Sequence, residues 1–448
     1  MPPMSGSDRE RPHPRWMDTV YERLAEDDDG RVCHAISDDA CRVTPGNFFR
    51  IGLANALSTL ADQLASAKTT LPWLVLQLGA PAWITALLVP IRESGSMLPQ
   101  LLIGGAVRRL ALRKWVWVGG GIVQGLCLAL IAAVAWRGSG LAAGLAIVAL
   151  LVVFSLARGA CSIAFKDVQG KTIPKTRRGR LAGWIGAAAG IAAMAVGALL
   201  GGVVDEGSTL VYATLLGAGA LLWAMAAATF ARIVEFPGAT DGGVDGWAEA
   251  IGQLRLLRDD ADLRRFVVAR ALAMGSGLAA PFYVALARDD LGDAVALLGI
   301  FIAVDGVAQL LSSPVWGRWA DRSSRQVFAA ACALAGLLSL AIAAGAWIGL
   351  PPGMATWWYP LAFFGLGIAH AGVRLGRKTY LVDLSEGNRR TVRVAVSNSV
   401  IGALLLGTGA VGAIAAQVSV PATVALLGVA GLLGAATSLR WREVSGTD

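Results

Sequence analysis

Gly317-Arg318-Trp319-Ala320-Asp321-Arg322-Ser323-Ser324-Arg325-Gln326 is a short basic segment between two apolar runs. At an offset of 212 residues toward the N-terminus lies Gly105-Ala106-Val107-Arg108-Arg109-Leu110-Ala111-Leu112-Arg113-Lys114, in the same setting. Gly105 falls on Gly317 and Arg113 on Arg325. The same offset puts Glu93 on Asp305, Lys166 on Lys378, Arg177-Arg178 on Arg389-Arg390, and Arg158 on His370. Matches among loop bases are cheap. Two acids at equivalent points inside apolar runs are not, and they read as a duplicated chain.

The apolar runs around these segments are long enough to cross a bilayer, which takes roughly 20 residues. They fall near 46–67 (kinking on toward 78), 82–104, 115–135, 141–164, 181–203 and 209–231. A second set lies near 265–286, 294–316, 327–349, 356–376, 394–416 and 421–440; these are spans 1 to 12 below. Composition agrees: 55% of the 448 residues are hydrophobic and 16% charged, against about 25% charged in a typical soluble domain. The 55 glycines suit close helix contact in lipid. The expected fold is an all-α polytopic membrane protein, with two parallel pseudo-symmetric six-helix bundles around a central cavity.

The domain plan that follows is a tail over 1–45, a six-helix bundle over 46–235, a linker over 236–264, a second bundle over 265–441 and a short tail over 442–448. The N-terminal tail offers a short amphipathic stretch at Trp16–Leu24, and its polar start predicts no cleavable signal peptide. Loops following even-numbered spans, with Arg440 and Arg442, hold 26 Lys and Arg, and the opposite loops hold Lys68, Arg137 and Arg288. The positive-inside rule then puts both termini in the cytoplasm of a cell whose inner (plasma) membrane holds the chain. The net charge of +8 is explained by this topology, so no nucleic-acid partner is expected. Cys33, His34 and Cys41 match no zinc spacing, and neither a metal nor a cofactor is expected.

Gly317 to Gln326 resembles the signature loop of the major facilitator superfamily, G-x-x-x-D-R-x-x-R-K/R, and stands between the second and third spans of a half as it does there. The first copy keeps the Gly and the closing Arg-Lys but has Arg109 where the Asp would be. The basic turns at Pro174–Arg180 and Glu386–Arg390 resemble that family's entry to the fifth span of each half. The resemblance implies a transporter working as a monomer by alternating access. It also implies a cytoplasmic gate built on Gly105, Gly317, Asp321, Arg322 and Arg325. Gly would permit a close approach between helices, and Asp321 would pair with a helix N-terminus or an Arg. The motifs of that family's drug–proton antiporters are not met: Arg158 is followed by Gly-Ala-Cys-Ser, and span 5 has no Pro.

Ionisable residues at mid-membrane cost roughly 2.5–3.5 kcal/mol on insertion scales, so each one points to a site. Span 1 carries a polar stripe of Asn55, Thr59, Asp62, Ser66 and Thr69 at helical spacing. Span 2 has Arg92 and Glu93, span 4 Arg158, span 7 Arg270, span 8 Asp305, and span 10 His370 with Arg374 one turn on. Adjacent residues do not face each other on a helix, so Arg92 and Glu93 need separate partners. Pairings of Asp62 with Arg92 and of Asp305 with Arg270 are open. The same residues would serve a central cavity in which acids, Asp62 and Glu93 foremost, take up protons and bases hold an anionic or polar solute. The functional expectation is proton-coupled secondary transport of a small solute. The alternatives are an uncoupled facilitator, a drug exporter, or a membrane sensor or enzyme on a transporter-like scaffold. No nucleotide-binding Gly-x-x-x-x-Gly-Lys-Ser/Thr loop supports ATP-driven pumping.

Overall fold

The computed structural model describes residues 38–98, 107, 109–202, 209–238, 254–384 and 389–444. Gly105, Arg108, the Trp16–Leu24 stretch, Cys33 with His34, and the loop at Glu386–Asn388 lie outside them, as does most of the linker. The described residues of the twelve spans are helical, apart from breaks in spans 1 and 7. Spans 3, 4, 6, 8, 9 and 12 are single helices: Lys114–Arg137, Gly140–Thr172, Thr209–Ala231, Val295–Arg322, Ser324–Ile348 and Val420–Ser438. Among the described residues eight stretches are long and apolar enough to cross a membrane: these six, Ala261–Leu291 and Val396–Val418.

The remaining spans depart from an unbroken apolar helix for visible reasons. Span 1 is Thr44–Leu64 followed by Thr70–Gln77. Pro72 brings no N–H, and its ring crowds the carbonyl four residues earlier, which here breaks the helix, whereas spans 2, 8 and 10 run on through Pro90, Pro314 and Pro360. Span 7 is broken likewise, into Ala261–Leu272, Gly275–Leu278 and Ala280–Leu291, with Pro281 opening the last piece. Span 2 joins a 3-10 turn, Ala82–Ile84, to Thr85–Met97, and the charged pair Arg92-Glu93 shortens its apolar run. Span 5 is Lys175–Gly201, and span 10 is Pro352–Asp383, far longer than its apolar portion. Span 11 is Arg389–Val418.

Packing repeats between the halves. Span 3 lies along spans 6 and 4, as span 9 lies along spans 12 and 10. Spans 2 and 4, 1 and 6, and 1 and 5 pack as do 8 and 10, 7 and 12, and 7 and 11. The two largest interfaces between the halves are span 5 on span 8 and span 11 on span 2, which the same exchange interconverts. Glycines build both. A Cβ on Gly197 would lie 2.7 Å from the Gly299 carbonyl oxygen, and one on Gly306 would lie 3.3 Å from that of Gly190. At the twin interface, a Cβ on Gly409 would lie 2.5 Å from Pro90, and one on Gly402 would lie 2.9 Å from Leu98. Gly190 and Gly402 stand 212 residues apart, as do Gly197 and Gly409. The offset read from loops and acids therefore also relates the helix contacts that join the halves. Left-handed glycines fall at matching connections too: Gly79 and Gly292 between the first two spans of each half, Gly140 and Gly349 around the third turnaround.

Two loop readings change. Gly317 to Arg322 is the last turn and a half of the span 8 helix, and Ser323 alone separates it from span 9, capping the Gln326 N–H. Gly317 makes no close approach here, since a Cβ on it would meet nothing within 4 Å. Arg374, Arg377 and Lys378 lie within the span 10 helix rather than in a loop.

Candidate functional site

A cavity of ≈ 350 Å³ opens between the halves, lined from spans 1, 2 and 4 on one side and 7, 10 and 11 on the other. Each charged wall residue is set by a local feature of its span. The break in span 1 releases the backbone over 65–69 and turns Lys68, held by a bond from its N–H to Ser66 Oγ at 3.3 Å, into the space. The helix of span 2 continues past Pro90 and carries Arg92 and Glu93 onto the wall. The length of span 10 puts His370, Arg374 and Arg377 on successive turns of one face.

Six of the eight expected cavity residues line this space directly: Arg92, Glu93, Arg158, Arg270, His370 and Arg374. Asp62 sits behind the wall. One of its carboxylate oxygens accepts from Arg92 Nη2 at 2.9 Å, and the other pairs with Arg158. Arg92 also lies over the Phe154 ring, 4.7 Å from its centroid. The Asp62–Arg92 pairing is thus formed, with a second arginine added. Asp305 faces an adjoining lobe of ≈ 330 Å³ and accepts from Gln309 at 2.7 Å. Arg270 bonds elsewhere, to Ser397 Oγ at 2.8 Å and Asn398 Oδ1 at 3.1 Å on span 11. The structure therefore does not bring Asp305 and Arg270 into a pair. His370 Nδ1 lies 3.3 Å from Ser276 Oγ across the halfway break of span 7.

Three wall residues escaped the sequence reading. Lys68 was assigned to an outer loop, but it lines both lobes. Arg377 and Lys378, which the sequence places beyond the apolar run of span 10 among the loop bases, line the main cavity and the second lobe respectively. The signal available was the apolar Leu71–Leu78 stretch beyond Lys68, which makes the lysine a kink inside one span.

One end of the cavity is plugged. The second helix of span 1 and the last helix of span 7 are buried against each other's half, with Leu71, Trp73, Leu74, Tyr283, Val284 and Ala287 at 0–1% exposure. Arg288 spans the junction, donating to the Trp73 carbonyl at 3.0 Å and to Gln77 Oε1 at 2.6 Å. Its own Asp293 lies 3.6 Å away. At the other end, the ion pairs seen among the described residues join groups of the same half. Arg113 and Lys171 pair with Asp167, and Glu235 accepts from the Arg113 and Lys114 N–H groups, capping span 3. Glu443 plays the corresponding part after span 12, accepting from Ser323 at 2.7 Å and pairing with Arg325 at 3.2 Å. Asp321 and Arg322 are exposed. Arg393 reaches Asp260, the cap of span 7, at 2.6 Å. Burial pushes the Asp260 carboxyl up, but the Leu263 N–H and the Arg393 guanidinium outweigh it, so it sits below the usual carboxylate value.

Residues 266–447 match the family model described as Major Facilitator Superfamily. No curated protein matches the chain in sequence. Solved structures resemble it across nearly its whole length. A D-xylose-proton symporter has a TM-score of 0.67 at 11% identity, covering 90% of this chain and 99% of that one. The inward-open xylose transporter XylE from E. coli has 0.63 at 12%, covering 89% and 98%. The nucleoside transporter NupG has 0.59 at 15%, covering 88% and 96%. At these identities the likeness is one of fold.

Proposed function

From a second half that is Major Facilitator Superfamily in sequence and a fold of that superfamily throughout, we propose that this membrane transporter moves a small solute by alternating access. The observation that carries the reading is one charged cavity fed by both halves and sealed at one end by the Arg288 junction. Solute sites between parallel repeats near the midplane are the arrangement expected of such transporters. The loops at the unsealed end carry nearly all the loop Lys and Arg, so the positive-inside rule faces that end and both termini to the cytoplasm of the inner (plasma) membrane. The conformation is then inward-facing. The intra-half pairs of Arg113 and Arg325 are the released form of a gate that Asp321 and Arg322 complete in the opposite state.

Coupling to protons is part of the proposal, and the geometry separates its two leading acids. Both oxygens of Asp62 are engaged by guanidinium groups. Among the described residues Glu93 is the one acid lining the cavity, with Lys68 on its own side and Arg377 on the facing side. An acid that can exchange one cationic neighbour for a proton is suited to couple, and Glu93 fits. The test is uptake into proteoliposomes holding a pH dye, with a solute panel and an imposed pH gradient. A solute that accumulates with the gradient and is lost on adding a protonophore supports the proposal. Accumulation indifferent to pH would remove the proton, and a panel in which no solute crosses would remove transport.

A further inference from the structure

The balance of charge around the cavity says more about the solute than that it is small. Six Lys and Arg side chains line the main lobe against the one acid Glu93. Adding Asp62 behind the wall, and Asp305 and Lys378 of the second lobe, gives seven bases to three acids. Among the described residues a surplus of four positive charges remains around the cavity. Arginine and lysine inside a membrane are otherwise paired with acids or backbone carbonyls, and an unmatched buried charge is strongly unfavourable.

The surplus is also placed for binding. Arg92 and Arg158 are committed to Asp62, whereas the cavity cations Arg270, Arg374 and Arg377 of spans 7 and 10 have no carboxylate partner among the described residues. Arg270 is 5% exposed and bonds only the neutral Ser397 and Asn398, with Nε lacking a partner. Arg374 is exposed to the space, and Lys68 faces it from the break in span 1. Guanidinium forks match the planar oxygens of carboxylate and phosphate. Between these charges the lining is apolar at Val89, Met97, Met274, Leu278 and Leu405. The volume lies at the small end of ligand sites, which run about 300–1,000 Å³.

We infer that the solute is a small organic anion, its carboxylate or phosphate group held by Arg270, Arg374, Arg377 and Lys68 and its short carbon part against the apolar lining. This rests on the transport reading for its physiological meaning but not for its test, which measures binding without turnover.

The full chain in detergent would be unfolded thermally, followed by tryptophan fluorescence at constant ionic strength. The probes are succinate, glucose 6-phosphate, inorganic phosphate, chloride, glucose, succinamide and choline. The expected result is saturable stabilisation by at least one organic anion and none by its neutral counterpart. Arg270→Gln and Arg374→Gln should weaken that binding about tenfold or more, while Arg137→Gln, exposed beside Trp136, leaves it unchanged. Should Arg270→Gln fail to fold, Arg374→Gln carries the comparison alone, since its side chain is exposed. Stabilisation by glucose, succinamide or choline but by no anion would overturn the inference. So would organic-anion binding that ignores both substitutions, binding of chloride or inorganic phosphate alone, or no binding at millimolar anion. Anion binding in micelles without uptake in vesicles would sink the transport reading instead, and uptake of a neutral solute would sink this one.

Discussion

Asp62 and Glu93 look alike in the sequence, each an acid inside an apolar run, and their surroundings divide them. Asp62 holds two arginines from two other spans, and removing it strands both. Losing one partner of a buried pair costs about 3–5 kcal/mol. Asp62→Asn should therefore lower the thermal unfolding temperature and depress both uptake and exchange. Glu93→Gln should fold normally, lose pH-driven accumulation and keep solute exchange. Retention of pH-driven accumulation by Glu93→Gln would move the coupling site elsewhere. A third acid makes a pH prediction outside the membrane. The Asp260 carboxyl is depressed, so its pairing with Arg393 stabilises above the unfolded value of about 3.9 and is lost as pH falls through the lower folded value. Asn keeps the helix cap but not the charge. The stability gap between the native chain and Asp260→Asn should be present at neutral pH and vanish in strong acid. A gap unchanged by acid would show that the charge contributes nothing.

Among helices, glycine positions divide into those that pack and those that wait. A side chain at Gly299 would meet the Gly197 carbonyl at 2.6 Å, so Gly299→Val should cost about 1–3 kcal/mol, read as a lowered unfolding temperature. Gly317→Ala should leave that temperature unchanged, because open space surrounds it here, and yet reduce transport if the opposite state closes a helix against it. A transport rate equal to the native one would remove Gly317 from the gate. The two ends make an opposed pair. Arg288→Ala removes both bonds across the sealed junction and should raise reactivity of cysteines placed on the span 1–span 7 face from outside. Asp321→Asn should do the reverse, favouring the conformation seen here and raising cytoplasmic cysteine reactivity. Identical labelling in the two variants would mean that neither group gates.

For the molecule as a whole, the repeat predicts depth. Glu93 and Asp305 should lie at the same level of the bilayer to within one helical turn, ~5.4 Å, on opposite sides of the axis relating the halves. Spin labels at the two positions, with relaxation agents partitioned between lipid and water, measure this. A larger separation would confine the twofold relation to the interface glycines and break the equivalence of the two acids.

Composition and hydrophobic period alone determined that this chain lies in a membrane and marked out twelve apolar runs, because a span must satisfy its backbone bonds internally and the apolar length that does so is visible residue by residue. The duplication was equally legible, since Gly105, Glu93, Lys166 and their partners share one offset in a linear string. Which cations face the centre was decided only by tertiary structure. Lys68 looks like a loop residue until Pro72 is seen to break a continuing span, and Arg377 and Lys378 look topogenic until span 10 is seen to run on to Asp383. The choice of partner was likewise tertiary: Arg158, remote in sequence from Asp62, reaches it because spans 1, 2 and 4 converge. Arg270 turns instead to Ser397 and Asn398. A charge in a membrane is stable only with what surrounds it, and neighbours from other helices are not written beside it in the chain.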